Sequence, residues 1–394
     1  MKKFIIIILI GMICFNGLVN ERELNKLAIV SCIGIDLCDD GEYQLTVNVL
    51  DTKKSGDDTN GEEKSEKNKN SVKNVYTTKS SSIQGALREI VNLSSKKMYL
   101  AHIEVVMLSE KLLREKNIID ILDYFVRDYE GRNDFILTCI KGNEVKEVIE
   151  NLSLENNQFA TDIHENIKSA HQYIGNTFEN MLNSDLRKIL QNGKEFVISS
   201  LEVENANLQG NEEEKNKSFN IKVSDMGYFR NGKLIGFLEE KDNLCYNILN
   251  EGITFTILQI GEGKDRVVIE IVSSKVSMIP EVIGNKYIVN IEQTVTANIT
   301  EMGENVKIKT KEEKRNYEEK FENLLKEYIS QYIKNCKTKY NSDIVGFKNL
   351  FYKYKYNEYK NVENIFYSNI YKNIDINVKV NVNIPNFGGV EKNW

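Results

Sequence analysis

The sequence predicts a multi-domain α+β protein: mixed, mostly antiparallel sheets packed with helices, behind an amino-terminal export or anchor segment. Three observations carry that expectation. Runs with every second residue apolar are interspersed with runs at helical spacing, the length of 394 residues exceeds one ordinary core, and a single apolar stretch follows two lysines at the amino terminus. Domains usually run about 100–200 residues, so two or three are expected. An apolar share of 41% with 28% charge is ordinary for a globular chain. The net charge of -6 gives no overall basic field, which argues against general binding to a phosphate backbone.

Lys2 and Lys3 precede the apolar run Phe4 to Phe15, and Leu18 and Val19 follow before the charged Asn20-Glu21-Arg22-Glu23. A basic region and then an apolar one make an export signal. The run is shorter than the roughly 20 apolar residues that cross a bilayer as a helix. Residues 1–19 are therefore assigned as signal peptide or membrane anchor. Six cysteines, at 14, 32, 38, 139, 245 and 336, include no Cys-x-x-Cys pair, so neither a zinc site nor a dense disulfide framework is indicated. Most read as small buried hydrophobes.

The first folded region is expected over 20–204. Ala28 to Ile35 reads as a strand, and Tyr43 to Leu50 alternates as a second, with Asp40-Gly41 as the tight turn between them. A calcium loop on Asp36, Asp39 and Asp40 fails, because Cys38 and Val47 stand where oxygen ligands are needed. Lys53 to Asn74 has almost nothing apolar and is read as a disordered insertion. Ile83, Leu87, Ile90 and Val91 stand at helical spacing, as do Leu122, Phe125 and Val126, with Ile103 to Leu108 a buried strand between them. A long helical tract is expected from Asn157 to Leu190.

Residues 205–218 form a polar linker, and 219–394 a second α+β domain. Phe219 to Arg230 and Lys233 to Leu238 flank Asn231-Gly232, a strong hairpin signal. Strands are expected over Arg266 to Val272 and Tyr287 to Ile299. Tyr317, Phe321, Leu324, Leu325, Tyr328 and Tyr332 follow the period of one long amphipathic helix. Ile374 to Ile384 alternates as a half-buried closing strand.

Signatures of chemistry are sparse. The chain has no Walker-type loop, Gly-x-Ser-x-Gly elbow or His-Glu-x-x-His. His102, His164 and His171 are its three histidines, too few for an open zinc site with His164 and His171 alone. Phe351 to Lys360 interleaves aromatics and lysines. That pattern can stack bases or meet lipid headgroups, but it also suits buried rings with wet lysines, the reading preferred for an acidic chain.

Several segments together resemble the GerC, or Ger(x)C, family of spore germination proteins. They are Asn20-Glu21-Arg22-Glu23-Leu24-Asn25-Lys26-Leu27-Ala28-Ile29-Val30 with Gly34-Ile35-Asp36, Ala101-His102-Ile103-Glu104-Val105-Val106, Phe125-Val126-Arg127-Asp128, the hairpin Gly227 to Gly236, and Asn341-Ser342-Asp343-Ile344-Val345-Gly346 with the closing strand up to Gly388. Five blocks stand in the family's order across nearly the whole mature chain. The resemblance implies a non-enzymatic C subunit of a spore nutrient-germinant receptor, on the outer face of the inner spore membrane, with integral-membrane A and B subunits as partners and no cofactor or metal. The family's lipidated cysteine aligns with Leu18 and its following Trp with Val19, whereas Cys14 lies four positions earlier after Gly11-Met12-Ile13. An uncleaved apolar anchor is the preferred reading, and lipid attachment at Cys14, preceded by the bulky Ile13, is the alternative.

Arg22, Glu23, Asp36, His102, Arg127 and Asp343 are candidate structural or interface residues, since charges set beside apolar strands need fixed partners. Gly232 joins them for its turn. An exported small-ligand or lipid-binding protein at a membrane surface is the alternative function, and a secreted hydrolase a third. A prediction follows for the insertion. Deleting Lys53 to Asn74 should leave the melting temperature nearly unchanged, and a fall of more than about 5 °C in a thermal scan would refute its being dispensable.

Overall fold

A computed structural model describes residues 27–50, 74–128, 131–183, 194–205, 219–250 and 252–385. The strands are β1 (Leu27–Leu37), β2 (Tyr43–Val49), β3 (Val75–Ser80), β4 (Lys97–Tyr99), β5 (Val105–Ser109), β6 (Ile136–Ile140), β7 (Val197–Asn205), β8 (Phe219–Arg230), β9 (Lys233–Phe237), β10 (Ile257–Ile260), β11 (Val267–Ile283), β12 (Lys286–Met302) and β13 (Asp375–Asn383). The helices are α1 (Ile83–Ser94), α2 (Glu110–Glu115), α3 (Ile118–Arg127), α4 (Val145–Glu155), α5 (Phe159–Ser169), α6 (Glu240–Asn250), α7 (Lys311–Thr338), α8 (Phe347–Tyr354) and α9 (Tyr356–Lys360). Among the described residues the strands make two sheets. One runs β3-β2-β1-β5-β6-β7-β8-β9 with β4 beside β1, and the other runs β10-β11-β12-β13.

The first sheet is parallel at its centre, where β1, β5, β6 and β7 run together, and antiparallel at both flanks. A sheet covered on both faces reads as continuous apolar runs, and β5 and β6 are buried at every position. Ile83, Leu112, Leu122 and Phe125, from α1 to α3, pack on one face, and Val145, Ile149, Ile163 and Ile167, from α4 and α5, on the other. Side-chain caps start the helices: Ser82 accepts from Gly85 N at 3.1 Å, and Asn117 from Ile119 N at 2.9 Å.

In the second sheet β11 and β12, of 17 residues each, form a long hairpin, with β13 parallel to β12. The 28-residue α7 starts from a capping box between Thr310 and Glu313 and buries Phe321, Leu325, Ile329 and Tyr332 against this sheet. The expected strand 266–272 proves far longer. A register shift between Ile271 and Ser273 breaks the alternation there, so the pattern fades while the pairing continues.

Two further expectations are corrected. The helical tract expected over 157–190 is interrupted after Ile174, behind a π-helical turn over Ala170–Ile174, because Gly175 takes φ +72° and closes that helix, and helix resumes at Leu182. Between them Asn180 bonds the backbone of Val197 and Ser199, which holds this segment along β6 and β7, and residues 184–190 lie outside the described ones. The hairpin expected to open the second domain at 219 pairs into the first sheet, because β8 is antiparallel to β7. The expected anchor at 1–19, the expected insertion at 53–74 apart from Asn74, and the expected linker at 205–218 apart from Asn205, which ends β7, lie outside the described residues.

Asn231 and Gly232 have φ of 53° and 77°, the positive pair that a type I′ turn demands. The turn also supports α3, since Ile118 N donates to Gly232 O at 2.8 Å, and a Cβ on Gly232 would press into the Asn117 side chain. Replacing Gly232 with Val should cost about 2–3 kcal/mol through backbone strain. Urea unfolding checks this, and wild-type stability would refute the strain argument.

Candidate functional site

A carboxylate withdrawn from water needs donors, and the first turn of a helix offers unbonded N–H groups together with a favourable dipole. Asp36, near the carboxyl end of β1, is buried. Its Oδ1 accepts from Val145 N at 2.9 Å and its Oδ2 from Lys146 N at 3.0 Å, so it caps α4 from a distant strand. Burial raises its carboxyl above the ordinary range, while the two amides and Ser109 act the other way. Asp343 repeats the device in the second half. It is 1% exposed and accepts from Gly346 N at 2.9 Å, Phe347 N at 2.8 Å and Lys348 N at 2.8 Å, capping α8. Here burial outweighs the three amides and pushes the carboxyl up to about 6.

Above the Asp36 cap opens a cleft of about 590 Å³ at the carboxyl ends of β1, β5 and β6. This edge is where ligands of open α/β sheets usually bind. Its wall mixes Asp39, Lys79, Glu110, Lys111, Arg114 and Glu144. Lys111 pairs with Asp39 at 2.5 Å, and Arg114 with Glu110 at 2.7 Å while also donating to Ile235 O at 2.9 Å. Paired charges of both signs suit the holding of a small polar molecule. Among the described residues no cluster of three His, Cys, Asp or Glu side chains stands ready to hold a metal ion. Cys32, Cys139, Cys245 and Cys336 are buried thiols, and burial raises each of them well away from the reactive thiolate range.

The other candidates lie apart from this cleft. His102 is exposed in the turn before β5, and Arg127 ends α3 in an exposed pair with Asp123 at 2.7 Å, a contact of little energetic weight. Arg22, Glu23, Cys14 and Leu18 lie outside the described residues. His164 Nδ1 stands 3.2 Å from Glu104, whereas His171 meets the Phe178 ring, so the two histidines serve different neighbours. In the aromatic–lysine stretch Phe351 and Tyr359 are buried against Phe366 while Lys353 and Lys360 stay exposed.

A polar seam that the sequence did not announce joins the two sheets. Buried Asp242 on α6 accepts from Asn335 Nδ2 at 2.8 Å and from the Tyr340 hydroxyl, which in turn accepts from Glu239 N. Ser342 Oγ donates to Phe229 O at 2.7 Å, Tyr371 donates to Ser342 O at 2.8 Å, and Glu195 N donates to Asp343 O at 3.1 Å. No motif marks Asp242, because an acid in a helix that reads as polar looks like any solvated one.

Comparison with known proteins covers both halves. Residues 20–203 match the model described as the spore germination protein N-terminal domain, and 224–388 the one described as spore germination B3/GerAC like, C-terminal. Spore germination protein KC of Bacillus subtilis (strain 168) is 21% identical over 360 residues, covering 90% of this chain and 87% of that protein. Spore germination protein B3 of the same organism is 22% identical over 379 residues, 95% of each. The crystal structure of the GerBC protein superposes with a TM-score of 0.55 at 18% identity, covering 90% of this chain and 97% of the other, and shows the same fold. The two matched regions divide between 203 and 224, while β7 and β8 pair across that division.

Asp343 makes stability depend on pH. With the folded carboxyl at about 6 and an ordinary value of 3.8, the folded chain holds more protons between those limits. Its contribution is therefore full below about pH 4 and is lost as pH rises through about 6. Asp343→Asn cannot titrate, so the stability gap between wild type and variant should narrow by up to about 3 kcal/mol from pH 4 to pH 7. Urea unfolding across that range reads it, and a constant gap would rule out the burial-driven rise.

Proposed function

Because the chain belongs to the GerAC-like family of spore germination proteins, we propose that it is the non-enzymatic C subunit of a spore nutrient-germinant receptor, tethered to the membrane and assembled with integral-membrane A and B subunits. One observation carries the reading: the N-terminal and C-terminal family regions occur together and in order, over 20–203 and 224–388. Attachment falls to the amino-terminal segment, since no helix among the described residues is long and apolar enough to cross a membrane. Lys2, Lys3 and the apolar run after them supply an export signal, and either Cys14 or the run itself supplies the hold. The place of action is then the outer face of the inner spore membrane.

A non-catalytic role is supported by how the buried acids are used. Asp36, Asp242 and Asp343 are engaged by backbone amides or by Tyr340 and Asn335, and each holds secondary structure in place. A second reading, an exported small-ligand or lipid-binding protein at a membrane surface, rests on the cleft beside Asp36. Purification from dormant-spore membranes through a carboxyl-terminal tag separates the two. Two polytopic membrane proteins should accompany the chain. Recovery of the chain without any polytopic protein, but with a retained small molecule in its native mass spectrum, would favour the binding protein instead.

A further inference from the structure

The parallel strands give the first sheet two unlike edges. The carboxyl edge carries the cleft. At the amino edge the chain enters the fold, and Leu27, the first residue of β1, pairs with Lys97 of β4. Three helices reach this same edge. α1 ends just before β4 begins, α3 starts beside the Gly232 turn at this edge and leads into the loop that precedes β6, and α4 starts beside Asp36 at the carboxyl end of β1 and so points its far end the opposite way. Just past α4, Asn157 accepts from the side chain of Asn74, which precedes β3, a strand parallel to β1.

The last turns of these helices leave large apolar side chains in water. Val91 is 43% exposed, Leu93 56%, Val126 41% and Leu154 79%. They come from both helical layers, so no one helix face explains them, and what they share is the edge. Charges of both signs border these side chains, since Arg88 and Lys97 share a pocket with Asp128.

We infer that the β4 side of this amino edge, away from the start of β7 and the end of β8 where Asp343 and Ser342 pack, is the surface that rests on the lipid bilayer, with Leu93 and Leu154 seated among the headgroups. The inference rests on the proposed membrane tether and adds the orientation of the domain beneath it. Chain length supports it, because the seven residues 20–26 between Val19 and Leu27 span at most about 30 Å when extended. Lys97 is one strand from Leu27, so the α1–β4 corner cannot stand far from the tether. Apolar side chains gain by leaving water for the interface. With this edge down, the cleft at the far edge faces away from the membrane, about 33 Å along the length of β1.

The chain has one tryptophan, Trp394, so a Trp394→Phe background allows a reporter to be placed. The full chain is reconstituted with vesicles of phosphatidylcholine and phosphatidylglycerol containing brominated acyl chains. Leu93→Trp and Leu154→Trp report from the two layers of the amino edge, and Asp40→Trp reports from the exposed turn at the carboxyl end of β1. The expected result is flotation of all three with the vesicles, with blue-shifted and quenched emission at 93 and 154 and neither change at 40. Flotation with unquenched emission at 93 and 154 overturns the inference while leaving the tether intact, and is the outcome expected if a protein partner covers the edge. Loss of flotation overturns the tether, and the orientation with it. Circular dichroism confirms that each variant is folded.

Discussion

A buried carboxylate is tolerated only where donors wait for it, and the architecture on both sides of this molecule is arranged around that requirement. Asp36 ties the end of β1 to the start of α4, which fixes the helix layer over the sheet by a contact 109 residues apart in sequence. Asp343 ties the segment after α7 to the start of α8, and its own carbonyl takes the amide of Glu195. Remove either acid and a helix terminus loses its partners inside the protein, where water is a poor substitute. These two candidate structural residues are fastenings of the fold.

The seam between the sheets follows the same logic with more members. Asp242, Asn335 and Tyr340 form one cluster, while Ser342, Phe229 and Tyr371 form another. The apolar core beneath them is shared, since Val197, Met226 and Tyr228 of the first sheet pack in the same cluster as Ile291 and Phe321 of the second half. Two family regions meeting across paired strands and a common core move as one body more readily than two beads on a linker. A signal received at either half would be passed through packed contacts.

How much was legible in the sequence depends on how far each element relies on local pattern. The hairpin at Asn231-Gly232, the helix around Tyr317 to Tyr332 and the closing strand were readable because turn chemistry and periodicity are local. The strand after Ile271 was lost at a register shift, and the expected helical tract is interrupted by Gly175 and by the bonds of Asn180 to β7 before helix resumes at Leu182. Of the candidate residues, Asp36 and Asp343 do have fixed partners, but those are backbone amides that no spacing rule reveals. The cleft was invisible for the same reason, since its walls come from β1, β5, β6 and the helices that follow them.

The closing strand has a consequence for biogenesis. β13 pairs with β12 across a gap of 87 residues, as in the contact between Asn377 and Asn290, so the inner strand of the second sheet lacks this neighbour until β13 has been made. The first sheet closes with β9 at Phe237, long before that. A chain delivered amino terminus first would therefore hold one finished half beside an open, apolar β-edge that stays competent to pair with any other strand. Interrupted synthesis before β13, or loss of β13, should then produce aggregation rather than a working fragment.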